Sequence, residues 1–462
     1  MRRIGDLLGP VVHLSNNWIS RIGIVLTTLA GVTWLFTLPS SFGGHVSNPY
    51  LGILTVLMLP GIFIFGLLMI PLGIWYEWKK EHREGTYPAQ FQAVNLHSPE
   101  LRRLAVFVAL ATCVNLVIAG STSYRAVEYL DSVTFCGQTC HTVMTPEFAA
   151  YQNSPHSRVE CVKCHIGPGA DWFVKSKISG IRQVFAVTLN TFSRPIPTPV
   201  HDLRPARETC EACHWPQKYG EDRLRVITHF AEDETNTRTQ SVLLLRIGVI
   251  HRAHQREGVR VEYMPADEKR EAIPLVRYEA PGNSPALFRA PDFKGGENQQ
   301  PWRLMDCMDC HNRPTHTFDI PERSVDNAMA AGAVSTALPF ARKIAVELLK
   351  KSGKGEEVSR GFEEYYRSNH ASIHAGKKEE VVRSAAHVRA IFERNVFPEM
   401  KVSWGIYPNH IGHTDFTGCF RCHTGTHAAK DGKTLQQDCS TCHSLLAMEE
   451  KSPKILSDLG VQ

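Results

Sequence analysis

Six times in this chain a pair of cysteines is followed at once by a histidine, and that repeat limits the fold more than any other feature. The tight copies are Cys161-Cys164-His165, Cys210-Cys213-His214, Cys307-Cys310-His311, Cys419-Cys422-His423 and Cys439-Cys442-His443. A stretched copy, Cys-x-x-x-Cys-His, stands first at Cys136, Cys140 and His141. Two cysteines at such spacing form thioethers to the two vinyl groups of one haem, and the adjacent histidine meets the iron. Zinc sites, redox thiols and disulfides also pair cysteines, but none of them requires a histidine directly after every pair. The copies use twelve of the thirteen cysteines, so the reading is six haem c groups. The expected fold is mostly α with much irregular structure, the chain wrapping cofactors that supply much of its core.

Cytochrome c maturation takes place outside the cytoplasmic membrane, so the motifs are expected on the periplasmic or outer side. Three apolar stretches, at about 18–38, 50–75 and 104–120, precede the first motif. Each approaches the roughly 20 residues a helix needs to cross a bilayer. The first is longer than the h-region of a signal peptide, roughly 7–15 residues, and reads as a retained span. The connector 79–103 carries Lys79, Lys80, Arg83, Arg102 and Arg103, whereas 39–49 has only His45 as a titratable residue. Positive charge marks the cytoplasmic side, which puts the N-terminus and this connector there and sends the third span outward. Pro60 and Pro71 are expected to kink the second span. His13, His45, His82 and His97 lie outside the apolar cores, so no haem is expected within the membrane.

At 462 residues the chain has room for two or three domains. The expected division is a membrane part over 1–130, haems one to three over 131–223, a β-rich insertion over 224–305, and haems four to six over 306–462. Within the insertion, 224–228, 241–247, 259–263 and 275–278 read as strands of one small antiparallel sheet. Helical spacing returns at 322–351, 356–367 and 379–395. The net charge of +5 points to neither nucleic acid nor an acidic tail, and haem propionates would push the balance negative. The chain shows no glycine-rich phosphate loop, which argues against a nicotinamide as electron source.

The stretch CHTVMTPEFAAYQNSPHSRVECVKCH, with DWFVKSKISGIRQVF behind it, resembles the NapC/NirT/NrfH membrane-anchored, quinol-oxidising multihaem cytochromes. The resemblance covers about 134–215. It implies that Met144 can ligate haem one, in competition with His141, that His156 ligates another haem, and that Lys177 binds quinol. Three features depart from the family pattern. The first motif has an extra residue and its methionine stands one place further on. Gln183 and Val184 occupy the neighbourhood where an acidic residue is usual. Family members also usually carry one span and four or five haems. Asp171, before Lys175 and Lys177, is the substitute proton acceptor to consider. A lysine in a partly apolar pocket can hold a quinol hydroxyl, since burial readily shifts its pKa; the bland alternative is a lysine solvated at the lipid headgroups.

Low-spin haems need a second axial ligand. His156, His316 (just after the fourth motif), His427, and one of His410 or His413 (around the fifth) are the expected distal ligands. His229, His251, His254 and His201 compete for the remainder, while His370, His374 and His387 read as surface residues. The expected function is a quinol dehydrogenase of the cytoplasmic membrane that takes electrons from the quinol pool, menaquinol included. They would leave for a periplasmic cytochrome, a reductase or other subunits of a membrane complex. A terminal reductase of a small nitrogen-oxide substrate, and a passive conduit that never touches quinol, are the other two classes. A catalytic haem of the reductase kind often replaces its motif histidine with lysine, and all six motifs here end in histidine.

Overall fold

The computed structural model describes residues 4–41, 58–89, 99–139, 141–200, 203–215, 220–297 and 300–461. The chain divides into two compact units, Met1–Thr139 and Cys140–Gln462.

The first unit holds α1 (Ile4–Leu14), α2 (Trp18–Ser41), α3 (Leu59–Glu84) and α4 (Pro99–Asp131), then a π-helical turn, Phe135–Thr139, that carries Cys136. The α2–α3 contact is built on small residues that let two backbones approach closely. A Cβ added at Gly66 would lie 2.6 Å from Thr27 Oγ1, and one at Gly23 would lie 2.7 Å from the Gly66 carbonyl. Ser20 Oγ donates across the same interface to the Ile70 carbonyl at 3.0 Å. Gly66→Leu is therefore expected to destabilise the packed pair by about 1–3 kcal/mol. A lowered thermal midpoint of the detergent-solubilised protein would register it. Gly61→Leu, which has open space around it, should leave the midpoint unchanged.

Among the described residues, α3 is long and apolar enough to cross a membrane, and Trp18–Thr33 within α2 is a shorter apolar segment. Of the second expected span, 50–57 lie outside the described residues. Pro60 occupies the first turn of α3, where its missing N–H has no partner to lose, so it starts that helix and does not kink it. Pro71 lies inside the helix. α4 runs unbroken to Asp131.

The second unit opens with α5 (His141–Gln152), α6 (Cys161–His165), α7 (Ala170–Thr188) and α8 (Ala206–Cys210). Next come β1 (Arg223–Phe230), β2 (Arg238–Leu245), α9 (Ile247–Gln255), β3 (Arg260–Met264), β4 (Leu275–Glu279), β5 (Ala286–Arg289) and β6 (Arg303–Leu304). The four expected strands are present, but they form two sheets instead of one. β1 and β2 pair antiparallel and take β7 (His443–Glu450) as their third strand; the other sheet has the order β5-β4-β3-β6. The separator is α9, and β7 begins at His443, the histidine of the last motif, nearly two hundred residues after its partner.

The helical part consists of α10 (Cys307–Cys310), α11 (Pro321–Ala330), α12 (Ala341–Lys351), α13 (Gly355–Asn369), α14 (Ala371–Gly376) and α15 (Lys378–Asn395). The single helix expected over 322–351 is two, because Gly332 and Phe340 both take positive φ, at 72° and 56°. Val325, Leu338, Ala345, Phe362, Tyr366 and Val388 are completely buried in one core that also takes in Phe230 from β1. Among the described residues, no motif cysteine or histidine belongs to that core. The chain closes with α16 (Cys439–Cys442), β7 and α17 (Lys454–Asp458).

Candidate functional site

The described motifs fold as single turns, and two of them are capped by the aspartate that precedes their first cysteine. Asp306 caps α10, accepting from the Met308 amide at 2.9 Å, and Asp309 returns the favour by accepting from the Asp306 amide at 2.7 Å. Asp438 caps α16 through the Ser440 amide at 2.9 Å. Asp309 also anchors its motif to the sheet: its buried carboxylate accepts from Tyr263 Oη at 2.6 Å and Arg303 Nε at 2.9 Å. Nothing in the spacing of the chain marks Asp309 out, because its partners are distant in sequence. Helix α8 packs on both α6 and α10, which sets the second, third and fourth motifs side by side.

Five motif histidines each face a second histidine. The ring centroids are 6.2 Å apart for His165 and His316, 5.9 Å for His214 and His156, 6.4 Å for His311 and His251, 5.9 Å for His423 and His254, and 6.2 Å for His443 and His413. A metal bridging two imidazoles through bonds of about 2 Å sets ring centroids roughly 6 Å apart. The residues therefore fit a haem iron between each pair. Their outward nitrogens fit it as well. His156 Nδ1 lies 3.3 Å from the Pro314 carbonyl, His316 Nδ1 3.0 Å from that of Glu147, His254 Nδ1 2.8 Å from that of Ile250, and His423 Nδ1 3.0 Å from that of Gln436. A carbonyl on Nδ1 fixes the tautomer and leaves Nε2 as the metal-binding nitrogen. Burial pushes His316 down to about 4 and lowers His254 too, which keeps both imidazoles neutral, as a metal ligand must be.

Two histidines expected as distal ligands are placed otherwise. His427 is buried with Nε2 2.8 Å from the Ile273 carbonyl and Nδ1 2.9 Å from Thr424 Oγ1. His410 is buried with Nε2 2.8 Å from Glu271 and Nδ1 3.3 Å from the Asp309 carbonyl. Both nitrogens of each ring are thus engaged by protein groups. His413, the alternative to His410, is the one opposite a motif histidine. His229 pairs with Asp326 at 3.0 Å. His201 and Cys140 lie outside the described residues.

Around His316 the structure assembles a buried charge pair that the sequence did not announce. Arg313 Nη2 lies 3.2 Å from Glu147 Oε2, and the same carboxylate oxygen is 3.2 Å from His316 Nδ1. The guanidinium lies against the Tyr407 ring at 4.1 Å. Burial raises the Glu147 carboxyl while Arg313 pulls it back down. Met144, three residues before Glu147, packs against the apolar cluster of Val143, Ala150, Phe318, Met400, Val402 and Tyr407.

Lys177 and Lys175 project from α7, and Asp171 occupies its first turn, exposed. Lys177 is half-buried with Nζ 4.7 Å from the Phe173 ring centroid, whereas Lys175 is exposed with Nζ 4.5 Å from that of Trp172. Val174, Ile178, Ile181 and Phe185 are exposed on the same helix. Their spacing draws one apolar stripe.

Comparison with known proteins agrees with this picture. The profile of the NapC/NirT cytochrome c family, N-terminal region, matches residues 99–196. The chain is 39% identical over 451 residues to the cytochrome c-type protein ImcH of Geobacter sulfurreducens, an alignment covering 94% of this chain and 88% of that protein. No solved structure matches.

Proposed function

Because the chain belongs to the NapC/NirT cytochrome c family, a group of multihaem electron carriers with covalently bound haem c, we propose that it is a membrane-bound hexahaem quinol dehydrogenase. It oxidises quinol of the menaquinol class and hands the electrons to a periplasmic redox partner or complex. The single observation that carries the electron-transfer reading is the set of five facing histidine pairs; quinol as the electron source rests on the family likeness around Lys177. Each haem c, once attached, supplies reversible one-electron carriage at a potential set by its axial ligands and surroundings.

The chain's own residues supply the rest. Cys136 and Cys140 with His141, and the five regular motifs, would hold the six haems. His316, His156 and His413, which face His165, His214 and His443, would supply the second ligand at the second, third and sixth haem sites. Lys177 holds the quinol hydroxyl, its aliphatic stem lying along an apolar helix face that suits an isoprenoid substrate. Asp171 is the carboxylate on that helix suited to take a proton. The N-terminus lies in the cytoplasm and the haem unit outside. Paired histidines at five motifs favour electron transfer over a terminal reductase, whose catalytic iron needs one open position.

The test is anaerobic. Oxidised protein is mixed with a menaquinol analogue and the haem α-band is followed, with Lys177→Ala alongside. Rapid reduction of the wild type, slowed at least tenfold in the variant, is the expected result. Equal reduction of both would move the quinol site off Lys177. Reduction by dithionite but by quinol in neither would leave a passive conduit.

A further inference from the structure

Helix α9 is nine residues long and stands in the chain between β2 of one sheet and β3 of the other. It carries His251 and His254, three positions apart, which places them on one face with Cβ atoms roughly 5–6 Å apart. They face different motifs: His251 is opposite His311 with the rings inclined by 27°, and His254 is opposite His423 with the rings inclined by 75°. Further contacts tie the same neighbourhood together. Arg421, inside the fifth motif, donates through Nη2 to the carbonyl of Asp309 inside the fourth. The Arg246 amide at the start of α9 donates to the Cys442 carbonyl of the sixth motif at 2.8 Å, and α9 packs on α16. The other histidines near these two motifs, His410 and His427, have Nε2 committed elsewhere.

We infer that His251 and His254 are the distal iron ligands of two successive haems, those attached at Cys307/Cys310 and at Cys419/Cys422. α9 is then one ligand helix shared by both. This rests on the multihaem reading above but not on quinol as the substrate. A shared helix has a consequence that two separate ligand loops would not have. A change of ligand at one iron shifts the helix that holds the other, so the two haems respond together. The attached thioethers and proximal histidines are untouched by such a change, because they belong to α10 and to the segment around Cys419.

The experiment uses the full-length, haem-loaded protein in detergent, without quinol. His251→Gly and His254→Gly are each expected to retain the wild-type mass of covalent haem. Each should convert one ferric haem from low spin to high spin in the electron paramagnetic resonance spectrum, and the double variant should convert two. Added imidazole should restore low spin by entering the space left by the side chain. His410→Gly and His427→Gly should convert none. Persistence of every low-spin signal in either α9 variant would overturn the assignment, as would a high-spin haem produced by the His410 or His427 change. Should the glycine variants fail to fold, His251→Met and His254→Met keep a ligand and are expected to raise the midpoint potential of one haem each, with a smaller shift at a second. A shift confined to one haem would overturn the sharing of α9. A wild-type mass with fewer than six haems, or loss of the Lys177 effect, would instead strike the functional reading and leave this result standing.

Discussion

Arg313→Ala is expected to cost about 3–5 kcal/mol of unfolding free energy, the usual penalty for stripping one partner from a buried ion pair. Arg313 has a 7% exposed side chain and Glu147 a 13% exposed one, so the remaining carboxylate would have little water to turn to. Chemical denaturation followed by far-ultraviolet circular dichroism checks the figure. The double change Glu147→Gln with Arg313→Gln should recover much of the loss, because neither charge is then left alone, and a double-mutant cycle would isolate the coupling. The pH dependence has a definite sign. Burial already raises the Glu147 carboxyl, with Arg313 opposing it, so removing the arginine raises it further. A folded-state pKa above the unfolded one means that the native state binds the proton more tightly, and stability then rises as pH falls through that window. The Arg313→Ala defect should therefore be largest at neutral pH and above, and shrink as pH falls toward the ordinary glutamate range. Because His316 Nδ1 rests on Glu147 and His316 faces His165, on the proposed function the same variant should also alter the haem spectrum.

Phe362→Ala is expected to cost a similar amount, about 3–5 kcal/mol, with a different signature. Phe362 is completely buried beside Val358 and Tyr366 in the core of α11, α12, α13 and α15. Tyr366 Oη is itself fixed to the Pro339 carbonyl at 2.7 Å. Since none of the described motif residues belongs to that core, the haem spectrum, and on the proposed function the rate of reduction by quinol, should stay at wild-type values at a temperature where the variant is folded. The melting curve alone should move. An altered low-spin spectrum would show instead that the bundle transmits strain to the haem sites.

The contrast between these two sites reflects how the unit is built. Its helical bundle has an apolar core of ordinary composition, while the segments that carry the motifs have short helices and irregular connections. This is why the hydrophobic pattern located α13 and α15 within a residue or two, and why it located α9 not at all. Ile247–Gln255 contains three charged or titratable side chains, His251, Arg252 and His254, in nine residues, and it follows closely on a strand of aliphatic residues. Read locally, it continues the sheet.

The sequence by itself determined the chemistry of attachment. Covalent geometry forces two cysteines and a histidine into a short fixed spacing, so each haem site is written in consecutive residues and can be read without a fold. The long apolar helix α3, the four strands of the insertion and the family likeness around Lys177 are local in the same sense. The second axial ligand is not. It needs only an imidazole at the right distance and angle, and any segment that passes the far face of the haem can provide one. Tertiary structure therefore decided that His316 meets His165, that His251 and His254 lie opposite two different motifs, and that His427 and His410 turn their nitrogens to carbonyl and carboxylate oxygens. It also decided that β7 closes the first sheet and that Arg313 finds Glu147 across 166 positions. Spacing fixes what one stretch of chain can bind; only packing fixes what comes to meet it.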